Sequence, residues 1–235
     1  MKLQMSSLLH RSWVRRRLEA AISRGFLHAY ETVKVDPARF LLQLQTGYGL
    51  PIATIHGLYT VDPAVLDEIA ERLIAGATKL AAVEGAGLGV GGLLTIVPDL
   101  SILAAITLRM IQKLSLVYGF EFTTEEEMSD LWIAAASAAG VDISREMLEK
   151  EIVNRFVPRV IRRIAVKASG EVVEKWSGRL IPVASSALGA GLNYYFVRAW
   201  GARAQAHFRQ RHMAQRANSG ATASIVELPA GGATG

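Results

Sequence analysis

The chain has 235 residues, no cysteine, 51% apolar residues and only 20% charged ones. That length can bury about 70% of the unfolded surface, in one large domain or two small ones, so the core needs no covalent staple. A disulfide framework, thiolate metal sites and a cysteine nucleophile are excluded, as are collagenous and wholly disordered chains, while the high apolar fraction admits membrane contact.

The net formal charge of +5 is unevenly placed. Lys2, Arg11, Arg15, Arg16, Arg17 and Arg24 crowd the start, and Arg198, Arg203, Arg209, Arg211 and Arg216 crowd the end. Such clusters attract polyanions, whether nucleic acid or anionic lipid. At the start they alternate with Val14, Leu18, Ala21, Ile22, Gly25, Phe26, Ala29 and Val33 at helical spacing. This predicts a basic amphipathic helix over residues 1–35 that packs on the core or lies on a membrane surface, and it disfavours nucleic acid. Met1 to Leu9 lacks the apolar stretch of a secretory signal.

Asp36-Pro37 and Asp62-Pro63 each pair an N-cap residue with proline at the first helical position, so helices are expected from Pro37 to about Gln45 and from Pro63 to about Ala82. In the second, Val65, Leu66, Ile69, Leu73, Ile74 and Ala77 repeat at spacings of three and four, opposite Asp67, Glu68, Glu71 and Arg72. A third helix is expected over Asp99 to Tyr118, closed by Gly119. Thr123 or Thr124, with Glu125, Glu126 and Glu127, offers a capping box for a fourth that stops at Gly140. Ser144 to about Lys167 reads as a fifth, kinked or split at Pro158, and a last helix is expected from Pro182 to about Gln215. Strand signals are sparse. The expected fold is all-α: a multi-helix bundle over residues 36–216 with a Gly-rich central helical pair, basic amphipathic helices at both ends, and a disordered tail over 217–235.

Gly85 to Pro98 and Leu180 to Val197 carry no charge. Asp99 interrupts the first run; Pro182, two glycines and Asn193 lie in the second, so neither makes a comfortable lone span of about 20 residues. Gly87 with Gly91, Ser185 with Gly189 and Ala187 with Gly191 have the four-residue spacing of small residues that lets helix backbones approach closely, which predicts that the two runs meet.

Gly87, Gly89 and Gly92 satisfy G-x-G-x-x-G, but they follow a helical run and no acid lies near residue 110, so a dinucleotide fingerprint is not supported. His10, His28, His56, His207 and His212 are scattered, and no metal site or cofactor is expected. Glu84, Asp99, Arg109 and Asn193 lie in or beside apolar segments, where ionisable and polar groups are expensive and therefore functional candidates. Asp99 can also serve as an N-cap and Asn193 as an interhelical hydrogen-bonding residue.

Val83-Glu84-Gly85-Ala86-Gly87, Gly91-Gly92-Leu93, Pro98-Asp99-Leu100, Arg109 and Tyr118-Gly119-Phe120 resemble the central pattern of the EcsC protein family. Ile181-Pro182-Val183, Gly189-Ala190-Gly191, Asn193 and the Arg-rich helix to Arg209 are similar to that family's C-terminal pattern, so the match covers most of residues 60–210. Ala184 and Ser185 stand where the family often has glycine. The resemblance implies a helical bacterial protein, membrane-associated on the cytoplasmic side, of unassigned activity, with an ABC transporter as a partner by family association. With the basic ends, it makes docking on anionic lipid through Arg15, Arg16, Arg17, Arg203, Arg209 and Arg211 the leading expectation. An enzyme acting on a lipid headgroup, with Glu84, Asp99, Arg109 and Asn193 converging between the glycine runs, is the alternative.

Overall fold

The computed structural model describes residues 2–88, 96–143, 153–177 and 186–226, and none of them is in a strand. In chain order the helices are α1 (Lys2–Thr32), α2 (Pro37–Tyr48), a 3₁₀ turn (Ile55–Thr60), α3 (Pro63–Leu88), α4 (Ile96–Val117), α5 (Glu125–Ala138), α6 (Val153–Ser177) and α7 (Ser186–Val226). The all-α expectation holds.

The helix starts follow from their caps. Asp36 Oδ1 accepts from the Ala38 N–H at 2.9 Å, and Asp62 Oδ1 accepts from the Ala64 N–H at 2.9 Å. Ahead of α5 the capping box is complete: Thr124 Oγ1 accepts from the Glu127 N–H at 3.2 Å, and Glu127 Oε2 accepts from the Thr124 N–H at 3.0 Å. Burial would raise the Glu127 pKa, but the hydrogen bonds from Thr124 and Thr123 outweigh it and hold the carboxyl below its ordinary range. Gly119 and Gly140 adopt the positive φ that closes α4 and α5.

Several boundaries differ from expectation. α4 already includes Ile96, so Asp99 lies inside the helix rather than at its cap. Pro158 does not end α6, whose buried face (Phe156, Val157, Val160, Ile161, Ile164, Ala165, Ala168) runs across it, and the helix passes Gly170 to reach Ser177. The predicted stretch from Ser144 to Glu151 lies outside the described residues. α7 is described from Ser186, the expected start at Pro182 lying outside the described residues, and it continues through Asn218 to Val226, where Ala217, Ala221 and Ala223 favour helix.

α4 occupies the middle of the bundle. Leu108, Met110, Ile111, Leu114, Leu116, Val117 and Tyr118 are all buried, and a helix apolar on nearly every side must be enclosed by its neighbours. α3 runs antiparallel to α7, since Asn193 Nδ2 donates to the Ala81 carbonyl at 3.3 Å and Gln205 Nε2 to the Asp67 carbonyl at 3.4 Å. α4 runs parallel to α7: Leu103 and Ala104 line a small apolar recess with Phe196, while Tyr118 meets His212 further along. Ile22 and Phe26 of α1 and Ala168 of α6 line the same recess. Hence the C-terminal ends of α3 and α6 and the N-terminal ends of α1, α4 and α7 share one end of the bundle. The described parts of both charge-free runs lie there, beside exposed Leu80, Val83, Ile102, Tyr194 and Tyr195.

The glycine contact expected between the runs is not made by Gly191, where an added Cβ would meet nothing within 4 Å. Gly89, Gly91 and Gly92 lie outside the described residues, as does the side of the helix at Gly189. The close approach falls instead at Gly201. A Cβ there would lie 2.9 Å from Ile74 Cγ1 and Cγ2 and 3.1 Å from Met110 Sδ, so α7 meets α3 and α4 with hydrogen in place of a side chain.

Candidate anion-binding surface

α6 builds one wall of the candidate site. Arg155, Arg159, Arg163 and Lys167 follow one another at spacings of four, with Arg162 three residues after Arg159, which places them on one side of the helix, and all five are exposed. The opposite face of α6 is the apolar one already described, so the register that buries Phe156, Val160 and Ile164 necessarily turns the arginines outward. α1 supplies the other wall through exposed Arg15; Arg16 and Arg17 are exposed too, turned about 100° and 200° further round the helix. The two helices approach at Gly170, where an added Cβ would lie 4.0 Å from Arg15 Nη2. Between them lies an open groove of about 730 Å³ lined by Arg15, Arg159, Arg162, Arg163, Val166, Lys167, Gly170, Glu171 and Glu174. The Lys167 ammonium is 3.9 Å from Glu171 Oε1, a loose pair. Trp13, 47% exposed, lies on another face of α1, with the Arg17 guanidinium 4.6 Å above its ring.

The arginines expected to act together at the two ends of the chain have different surroundings. Arg203 Nη1 donates to the Ala138 carbonyl at 2.7 Å, at the C-terminal end of α5. Arg209 Nε lies 2.8 Å from Asp67 Oδ2, and the buried Tyr118 hydroxyl donates to Asp67 Oδ1 at 2.7 Å. Burial first, and then this hydrogen bond to the carboxylate, push the Tyr118 phenol well above its ordinary pKa. Arg211 Nη2 is 2.7 Å from Asp130 Oδ2, with its guanidinium 4.7 Å above Phe120. These three side chains fasten α7 to α3 and α5.

Of the alternative set, Glu84 is half-buried on α3, and Arg109 is exposed on α4. Burial, and next the Arg109 charge, hold the nearby Lys113 ammonium below its ordinary pKa. Asn193 makes the interhelical bond to Ala81. Met110, next to Arg109, packs at Gly201, eight residues and so about 12 Å further along α7 than Asn193; Arg109 and Asn193 therefore stand at different levels of the bundle. The Asp99 side chain lies outside the described residues.

Two polar devices escaped the sequence reading. Gln112, buried on α4, donates from Nε2 to the Val33 carbonyl at 3.1 Å and accepts from the Val35 N–H at 3.0 Å, clamping the turn after α1. His212 is fully buried, stacked on Tyr59 with ring centroids 5.0 Å apart. Its Nδ1 is 2.9 Å from the Tyr118 carbonyl, which can only accept, so Nδ1 carries the proton and Nε2 is a buried acceptor without a hydrogen-bond partner. Burial holds the imidazole below its ordinary pKa, outweighing the bond to Tyr118. The α6 arginines did carry a sequence signal, the three-and-four spacing from Arg155 to Lys167; the reading followed basic residues at the termini and passed over it.

Fold and surface together define an all-helical bundle with one strongly cationic flank. The chain belongs to the EcsC protein family, which matches residues 14–213. It is similar to the uncharacterized protein YdbA of Bacillus subtilis (strain 168), 25% identical over 139 residues, covering 55% of this chain and 51% of that protein. It is also similar to Protein EcsC of the same organism, 32% identical over 88 residues, covering 37% of each. The matched stretch thus spans about half of the first relative and just over a third of the second. No solved structure matches the chain.

Proposed function

We propose that this EcsC-family chain is a peripheral membrane protein that docks on anionic lipid along the flank formed by α1 and α6. The observation that carries the reading is the concentration of Arg15, Arg159, Arg162, Arg163 and Lys167 around the groove on that flank. Exposed Trp13, paired with Arg17 on another face of α1, has the amphipathic ring suited to a headgroup layer. The adjoining end of the bundle adds Leu80, Val83, Tyr194 and Tyr195, so the edge between flank and end offers charge for the headgroups and apolar surface for the layer beneath them. Among the described residues, no helix is long and apolar enough to cross a membrane, in keeping with docking rather than spanning. Arg203, Arg209 and Arg211, engaged with Ala138, Asp67 and Asp130, contribute to the bundle's cohesion in this reading.

Sedimentation with vesicles tests it. The protein should pellet with phosphatidylglycerol-containing vesicles at low ionic strength, be released by high salt as the Debye length shortens, and ignore phosphatidylcholine vesicles. Failure to bind the anionic vesicles at low ionic strength refutes the reading, and retention that only detergent reverses replaces it with an inserted mode.

A further inference from the structure

We propose that the groove between α1 and α6 is a binding site for the phosphorylated polyol headgroup of a membrane lipid. The inference rests on the docking reading and adds to it a defined ligand. The groove is open to solvent, and its volume of about 730 Å³ is large enough to seat a headgroup. Its lining is arranged along α6. Arg159, Arg162 and Arg163 stand at one end of the groove, and Glu171 and Glu174 at the other, toward the shared end of the bundle where the apolar side chains are exposed.

The two ends ask for different chemistry. Guanidinium forks pair with phosphate oxygens through parallel hydrogen bonds, and several arginines side by side favour a phosphomonoester, which carries more charge than a diester. Carboxylates only accept hydrogen bonds and repel phosphate; each offers about four acceptor sites, so the Glu171 and Glu174 end can take hydroxyl donors beside the partners it already has. An inorganic phosphate satisfies the first end and leaves the second idle. A zwitterionic amino-alcohol headgroup brings no net negative charge to a groove in which Arg15, Arg159, Arg162, Arg163 and Lys167 outnumber the two carboxylates. A polyol ring bearing phosphate meets both demands, its hydroxyls toward Glu171 and its phosphate toward the arginines. The loose Lys167–Glu171 pair at 3.9 Å leaves room for such a ring to bridge the two groups. Gly170 keeps the floor of the groove open where Arg15 crosses it.

The probes are vesicles carrying phosphatidylinositol 4-phosphate and vesicles carrying phosphatidylglycerol at matched surface charge. The full chain should bind the first at least about tenfold more tightly, the increment of one well-formed charge-assisted contact. The triple variant Arg159→Gln/Arg162→Gln/Arg163→Gln should lose that preference and bind either vesicle on the order of 100-fold more weakly. Its positions are exposed, and circular dichroism checks that it folds. Glu171→Gln/Glu174→Gln should keep binding phosphatidylglycerol but lose the preference for the polyol. Lys34→Gln/Arg39→Gln/Arg72→Gln, with equal charge loss elsewhere on the surface, should keep it. Equal affinity for the two vesicles, a preference that survives the α6 triple variant, or tighter binding of single-stranded DNA overturns the proposal and leaves docking intact. If neither vesicle is bound, the docking reading itself fails; inositol 1,4-bisphosphate binding that persists in that case makes the ligand a soluble phosphate ester and overturns the lipid source.

Discussion

Replacing Gly201 with alanine should destabilise the protein, although the same replacement in most helices does the opposite. Gly costs about 1 kcal/mol relative to Ala inside a helix, so propensity alone favours the change. The new Cβ, however, would sit 2.9 Å from both γ-carbons of Ile74 and 3.1 Å from Met110 Sδ, where carbon atoms are comfortable at about 3.5–4.0 Å. Met110 can swing its flexible thioether aside. Ile74 cannot, because both crowded atoms hang from its Cβ and the side chain is buried, so relief requires an off-rotamer χ1 or a shift of α3 against α7. Overpacking of this kind costs about 1–3 kcal/mol, and with both γ-carbons of Ile74 under 3.0 Å the upper part of that range applies; after the propensity gain the net loss is up to about 2 kcal/mol, or up to roughly 8 °C in Tm for a chain of this size. Gly191→Ala is the internal control: it lies on the same helix with nothing within 4 Å of the added carbon, and should stabilise by about 0.5–1 kcal/mol. Urea denaturation followed by circular dichroism measures both, with unchanged m-values showing that the transitions are comparable. In an Ile74→Ala background the sign at Gly201 should reverse, because the obstructing carbons are gone. If Gly201→Ala stabilises as Gly191→Ala does, or if its effect is the same with and without Ile74, the close approach of α3, α4 and α7 described here is wrong.

Gln112→Ala strands the Val33 carbonyl and Val35 N–H where Gln112 now satisfies both, and should cost about 1–3 kcal/mol of unfolding free energy, with accelerated amide exchange at Val35 as the local signature. His212 and His207 are both held below their ordinary pKa by burial, so below pH about 6.5 the unfolded chain takes up protons that the folded one refuses. Stability should therefore be full above that pH and decline as pH falls toward the folded-state values, and His212→Gln should flatten the slope of urea midpoint against pH between 7.5 and 5. Arg203→Ala removes the donor to the Ala138 carbonyl at the end of α5 and should lower the unfolding free energy measured in urea by about 1–2 kcal/mol while leaving vesicle binding unchanged, in contrast to the α6 arginines.

The contrast between Arg203, Arg209 and Arg211 on one side and Arg159, Arg162 and Arg163 on the other follows from what each faces. In the linear chain both sets are basic residues on amphipathic helices, and nothing local separates them. Asp67 and Asp130 are 142 and 81 residues away from their partners, so no window along α7 reveals that its arginines face carboxylates of α3 and α5. Along α6, only the sum of its own register and the position of α1 shows that the arginines border a groove.

The sequence by itself determined the features that are local. Asp36, Asp62 and Thr124 start helices because a side-chain oxygen two or three residues upstream satisfies an orphan N–H, and Gly119 and Gly140 end them because only glycine readily turns left-handed there. Apolar spacing of three and four assigned the faces of α1 and α3, and Gly119 marked the end of α4. The tertiary structure alone decided what depends on approach between segments far apart in the chain: that Gly201, not Gly191, is the close contact; that Gln112 reaches the end of α1; that α4 lies parallel to α7; and that the C-terminal arginines are held within the bundle while those of α6 meet Arg15 across a groove. Caps and periodicity are short-range and are written in consecutive residues. Packing depends on which faces meet, and that is settled by the simultaneous burial of all the helices.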